Sequence, residues 1–129
     1  MTWLYDRSVE PPALFLKVVV HPPEHPDITR NIRAKLDTGA DVSAIPASLV
    51  KELTLRPESQ LLIEGYDLNL VTLHTYYVAL VVAQVRFRRL EVITFPEEYV
   101  LLGRDVLNHF YARLNGPELT FDLSPSPPE

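Results

Sequence analysis

Residues 31–36 alternate strictly: Ile32, Ala34 and Leu36 are apolar, and Asn31, Arg33 and Lys35 are polar. A period of two predicts a strand with one face buried. Residues 14–20 place Leu14, Leu16, Val18 and Val20 on one face, with Phe15 and Val19 on the other, which predicts a strand covered on both sides. Residues 60–64 and 71–82 read as two strands of a long hairpin turning through Gly65-Tyr66-Asp67-Leu68-Asn69. Residues 85–89 and 90–95 continue the sheet. Val100, Leu101 and Leu102 make a short strand buried on both faces, and Asn115-Gly116 predicts a tight turn back into residues 118–123.

Two segments break that period. Pro46 suits the first position of a helix reaching about Leu53, with Leu49, Val50 and Leu53 on one face. Residues 104–110 predict a second helix. Between the first two strands, His21-Pro22-Pro23-Glu24-His25-Pro26-Asp27 is too rich in proline for helix or central strand. It predicts a surface loop whose two histidines are solvated. The expected fold is mainly β, a closed or folded-over sheet with two short helices. Residues 1–123 are expected to form a single domain, and the proline-rich residues 124–129 a disordered tail.

Composition narrows the function classes. The 129 residues carry a net charge of −5, which disfavours nucleic acid or an anionic membrane as a partner. With no cysteine there is neither a disulfide framework nor a thiolate metal site. The N-terminus lacks the apolar stretch of a signal peptide, and the longest apolar run, residues 76–83, is too short to span a bilayer. A cytoplasmic chain is expected, without membrane or nucleic-acid partners. His21 and His25 have no third ligand and sit among prolines, so no metal and no cofactor is expected. His74 and His109 read as a strand-face and a helix-end residue.

The candidate chemistry lies at Asp37-Thr38-Gly39-Ala40-Asp41, directly after the alternating strand. A carboxylate leaving a strand, with glycine two residues on, is held beside bare backbone N–H groups. Alone, such a triplet carries little specificity. Far downstream stands Val100-Leu101-Leu102-Gly103-Arg104-Asp105. In this order and spacing, the two elements resemble those of the retropepsins, the single-domain aspartic proteases of retroviral type. The ending from Leu114 to Phe121 looks more like the prokaryotic and ubiquitin-shuttle branches than the viral one.

The resemblance implies a retropepsin-like closed β-barrel or sandwich, one lobe per chain, with a flap hairpin. It implies catalytic roles for Asp37, Thr38 and Gly39, with Gly39 donating its N–H to the carboxylate and Thr38 bracing the loop across a two-fold axis. Ala40, Asp41, Gly65 and Tyr66 would contact substrate, the last two from the flap. Ala40 stands where acid-active pepsins often carry Ser, so the ionised carboxylate has one hydroxyl donor fewer. Gly103 would lie beneath the active-site loop without room for a side chain. Arg104 would support that loop by a partly buried ion pair with Asp41.

An aspartic protease needs two carboxylates sharing one proton. The chain has one Asp-Thr-Gly, so the resemblance implies a homodimer with Asp37 opposite its twin. The expected activity is an aspartic endopeptidase cleaving extended segments of peptides or unfolded proteins at apolar residues. The alternative is a catalytically silent module of the same fold that binds peptide or dimerises.

Overall fold

The computed structural model describes residues 1–64 and 67–127. Its strands are β1 (Thr2–Leu4), β2 (Phe15–His21), β3 (Arg30–Leu36), β4 (Ala44–Pro46), β5 (Ser59–Glu64), β6 (Leu70–Val82), β7 (Val85–Phe95), β8 (Val100–Leu102), β9 (Tyr111–Asn115) and β10 (Thr120–Ser124). Helix α1 (Ala47–Glu52) follows β4, and α2 (Arg104–Leu107) follows β8.

Six strands close on themselves in the order β2-β3-β8-β4-β7-β6, because β6 pairs back onto β2 through Val19↔Val81, Val20↔Leu80 and His21↔Ala79. Closure removes the unpaired edges of an open sheet. The inward faces of β2, β3, β6 and β8 supply Val18, Val20, Ala34, Val78, Val82 and Leu102, all at most 2% exposed. The alternation predicted for residues 31–36 is present in Ile32 and Ala34, both buried. Together with Leu49 of α1 and Val106 of α2, these side chains form one core. The fold is mainly β, a closed six-stranded barrel, with two short helices among the described residues.

A second sheet, in the order β1-β10-β9, lies against the barrel. Phe121 and Leu123 of β10 enter the core, and Trp3 stacks on Phe121 with ring centroids 5.6 Å apart. β1 has no sequence signature beyond Trp3. It forms by pairing with β10 through Trp3↔Phe121. β10 runs through Ser124, which pairs with Tyr111 of β9.

The structure corrects several expectations. His21 is not a solvated loop residue: it ends β2, is 4% exposed, and its Nδ1 lies 2.6 Å from the Pro22 carbonyl. Pairing with β6 draws it inward, a tertiary effect that proline content does not report. Residues 85–95 form one strand rather than two, because a β-bulge absorbs the irregularity. Val78 pairs with Leu90 and Leu80 with Phe87, so β7 carries one residue more than β6 there. Helix α2 stops at Leu107, and residues 108–110 continue as turns.

Candidate active site

Asp37 is the first residue after β3, and its N–H donates to the Leu102 carbonyl of β8 at 2.9 Å. β3 and β8 run parallel through Ala34↔Val100, Lys35↔Leu101 and Leu36↔Leu102. The two motifs, more than sixty residues apart in sequence, are therefore neighbours in the barrel wall. Gly39 donates its N–H to Asp37 Oδ1 at 2.9 Å. A Cβ on Gly39 would stand 3.1 Å from that oxygen, so close approach, not a left-handed backbone, is what glycine provides here. The Ala40 N–H donates to the Asp37 carbonyl at 3.2 Å, closing the turn.

Beneath the loop, the Arg104 N–H donates to the Ala40 carbonyl at 2.9 Å. A Cβ on Gly103 would lie 2.8 Å from the Val42 carbonyl and 2.9 Å from the Ala40 oxygen, which leaves no room for a side chain. Arg104 donates to the Thr38 carbonyl at 2.8 Å through Nη1 and pairs with Asp41 through Nη2. The pairing joins the two residues expected, but it is not partly buried: the side chains are 44% and 82% exposed. Solvent screens such a pair, so its contribution within one chain is small.

The buried connection is elsewhere, and neither motif marks it. Asp105 accepts from the Ser43 N–H at 3.0 Å and from the Ser43 hydroxyl at 2.7 Å. Ser43 Oγ in turn accepts from the Gly103 N–H at 3.0 Å, and Ser43 is only 1% exposed. This cluster fixes the chain just after Asp41 to the start of α2.

Tyr99 was also missed. It packs edge-on against Phe15 at 5.2 Å and Phe95 at 5.5 Å. Burial pushes its phenol pKa up, the negative charges of Glu97 and Asp37 add to the rise, and Arg33 partly opposes it. The side chain thus lies within the electrostatic field of Asp37. Its place immediately before the apolar strand that pairs with β3 was the available signal. Arg33 stacks over Phe15, 4.3 Å from the ring centroid, and pairs with Asp6.

The structure therefore brings Asp37, Thr38, Gly39, Ala40 and Asp41 together with Gly103 and Arg104. Gly65 and Tyr66 lie outside the described residues. A cleft of about 470 Å³, lined in part by His25, Thr54, Tyr77 and Arg89, shares no residue with this loop. Among the described residues no group of three His, Asp or Glu side chains is placed to hold a metal, and no helix is long and apolar enough to cross a membrane. A carboxylate oriented by a backbone donor on a braced loop is suited to accept a proton from water.

A family model described as aspartyl protease matches residues 28–106, which includes both motifs. No curated protein matches the chain by sequence. Among solved structures, a retropepsin-like aspartic protease from Rickettsia conorii aligns with a TM-score of 0.63 at 16% identity, covering 95% of this chain and 88% of that one. The protease of Simian Foamy Virus (mac) aligns at 0.56 and 20% identity, covering 74% and 92%. The retroviral protease-like domain of Ddi1 from Leishmania major aligns at 0.50 and 12% identity, covering 84% and 87%. At these identities the likeness concerns the fold.

Proposed function

The chain belongs to the aspartyl protease family, and from that premise we propose that it is an aspartic endopeptidase acting as a symmetric homodimer. The observation that carries this reading is the Gly39 N–H on Asp37 Oδ1, in a loop braced from below by Gly103 and Arg104. A binding module needs no such constraint on one carboxylate. One Asp-Thr-Gly per chain supplies half of a dyad, so a second copy brings the other half.

In the dimer, one Asp37 is ionised and takes a proton from water as the water oxygen bonds to the scissile carbonyl carbon. The other Asp37 is protonated and gives its proton to the carbonyl oxygen. Collapse of the tetrahedral adduct breaks the C–N bond, with a proton passing to the leaving amine. Thr38 braces the two loops across the axis. Ala40 and Asp41 contact the substrate backbone, the β5–β6 hairpin is the flap, and Gly65 and Tyr66, between its two strands in sequence, are assigned to substrate contact. Leu62, Leu70 and Val71 on that hairpin are exposed, which supports an apolar, extended substrate.

The β1-β10-β9 sheet supports the dimer. Both its outer strands have a free edge among the described pairings, all five residues of β9 are exposed, and Leu4 and Leu114 are 76% and 61% exposed. Residues 1–123 form the protease domain in this reading, with 124–129 as a tail whose first residue, Ser124, still pairs within β10. The cysteine-free chain suits the reducing cytosol.

The test is incubation with a diverse peptide library, with and without pepstatin, for the parent and for Asp37→Asn. Pepstatin-sensitive cleavage by the parent, lost in a variant that keeps its fold and oligomeric state, is the expected result. Cleavage retained by Asp37→Asn refutes the assignment. No cleavage by the parent leaves the silent peptide-binding module.

A further inference from the structure

Strand β6 serves two structures in turn. Residues 70–75 pair with β5, and from Tyr76 onward the opposite edge pairs with β7. Thr75 is the last residue of the hairpin ladder, where it faces Ser59, the first residue of β5. The hairpin thus leaves the barrel at Ser59 and Thr75, and a carboxylate from the barrel stands at this point. Glu91 of β7, which pairs with Tyr77, accepts on Oε2 from the Thr75 hydroxyl at 2.6 Å and from the Ser59 hydroxyl at 2.9 Å. The two hydroxyls are 2.8 Å apart. Thr75 is 1% exposed, so its hydroxyl has little access to water in exchange.

One barrel side chain therefore ties both strands of the hairpin at their root. We propose that Glu91 is a positioning residue that sets the angle and stiffness with which the β5–β6 hairpin projects over the active-site loop. The proposal rests on the reading of that hairpin as the flap. Donation from Thr75, and secondarily from Ser59, holds the Glu91 carboxyl below the usual carboxylate range, in keeping with an ionised common acceptor. Beyond the root, the hairpin carries exposed Leu62, Leu70 and Val71 and no barrel strand along its free edge. Its orientation then depends on few contacts, which gives a single carboxylate leverage over it.

Amide hydrogen exchange and steady-state kinetics on the intact protein test this together. Glu91→Ala should speed exchange at residues 60–64 and 70–75 by roughly tenfold while residues 16–20 and 100–102 keep parental rates. The KM for a peptide cleaved by the parent should rise several-fold, with kcat within about twofold, since closure and not chemistry is affected. Thr75→Val, which keeps the side-chain volume, should reproduce the effect, and the double variant should add little to either single one. Glu91→Gln, which retains one carbonyl acceptor, should restore part of the protection. Unchanged hairpin exchange in Glu91→Ala, or equal acceleration throughout the barrel, overturns the proposal. So does a loss confined to kcat. If the parent cleaves nothing, the exchange measurement still decides the role of Glu91, and it is the protease reading that fails.

Discussion

Asp105 holds Ser43 twice, by its backbone N–H and by its hydroxyl, and Ser43 holds the Gly103 N–H in turn. The exposed Arg104–Asp41 pair lies on the solvent side of this cluster. The two carboxylates should therefore respond differently. Asp41→Asn should change stability by no more than about 0.5 kcal/mol, as for an exposed ion pair. Asp105→Ala leaves the buried Ser43 donors without an acceptor and should cost on the order of 2–3 kcal/mol. Urea unfolding of the two variants decides the order. Equal losses would show that the Ser43–Asp105 cluster braces the loop no more than the Arg104–Asp41 pair does.

Gly103 and Gly116 make an internal comparison. A methyl on Gly103 meets backbone atoms at 2.8 Å, whereas one on Gly116 meets nothing within 4 Å. Neither residue has a positive φ. Gly103→Ala should cost at least about 2 kcal/mol by overpacking, and Gly116→Ala should be neutral or slightly stabilising. Melting temperatures measured side by side check both.

Thr54 has φ 52°, a left-handed conformation that a β-branched residue adopts at a cost. It closes α1 in a Schellman arrangement, with the Leu55 N–H on the Val50 carbonyl at 2.9 Å and the Thr54 N–H on the Lys51 carbonyl at 3.2 Å. Its side chain is exposed, so nothing packed is lost on truncation. Thr54→Gly should stabilise the protein by about 1 kcal/mol, or ~4 °C in Tm. An unchanged or lower Tm would show that the Thr side chain compensates its own strain.

Asp6 links the segment after β1 to β3. It accepts from the Ser8 hydroxyl at 2.5 Å and the Ser8 N–H at 2.8 Å, and it pairs with Arg33. The Ser8 donors, then the Arg33 charge, lower its pKa below 3.8. Its folded pKa is depressed, so its stabilising contribution is present above 3.8 and is lost as pH falls through the folded value. The Tm difference between the parent and Asp6→Asn should be constant from neutral pH down to the usual carboxylate range, then shrink below it. Because hydrogen bonds dominate, added salt should reduce the difference only slightly. A difference that grows on acidification contradicts the assignment.

The parts of the site that lie within one short segment were readable. Asp37 to Asp41 announces a held carboxylate, because it is a local run of residue types with a backbone consequence, whereas the supporting roles of Gly103 and Arg104 came from the resemblance to the retropepsin pattern. The alternation at residues 31–36 likewise names its own buried face. What stayed hidden depends on partners distant in sequence. Nothing around Ser43 or Asp105 indicates that they meet, and Glu91 reads as an ordinary exposed strand residue until β5 and β6 are laid beside it. His21 looked like part of a solvated loop until pairing between β2 and β6 buried it. Residues 85–89 and 90–95 looked like two strands divided after Arg89, whereas a bulge carries β7 through that point.

Strand β9 lies at the border of its sheet with all five residues exposed. If that border is where a second copy docks, the amount of chain in a cell acts as a control on its own activity. Below the dissociation constant the molecules are halves without a dyad. Above it the active fraction rises steeply, because two halves must meet. Such a chain needs no inhibitory segment to remain silent while scarce, and an inactive copy made alongside it would suppress the active ones by occupying their borders.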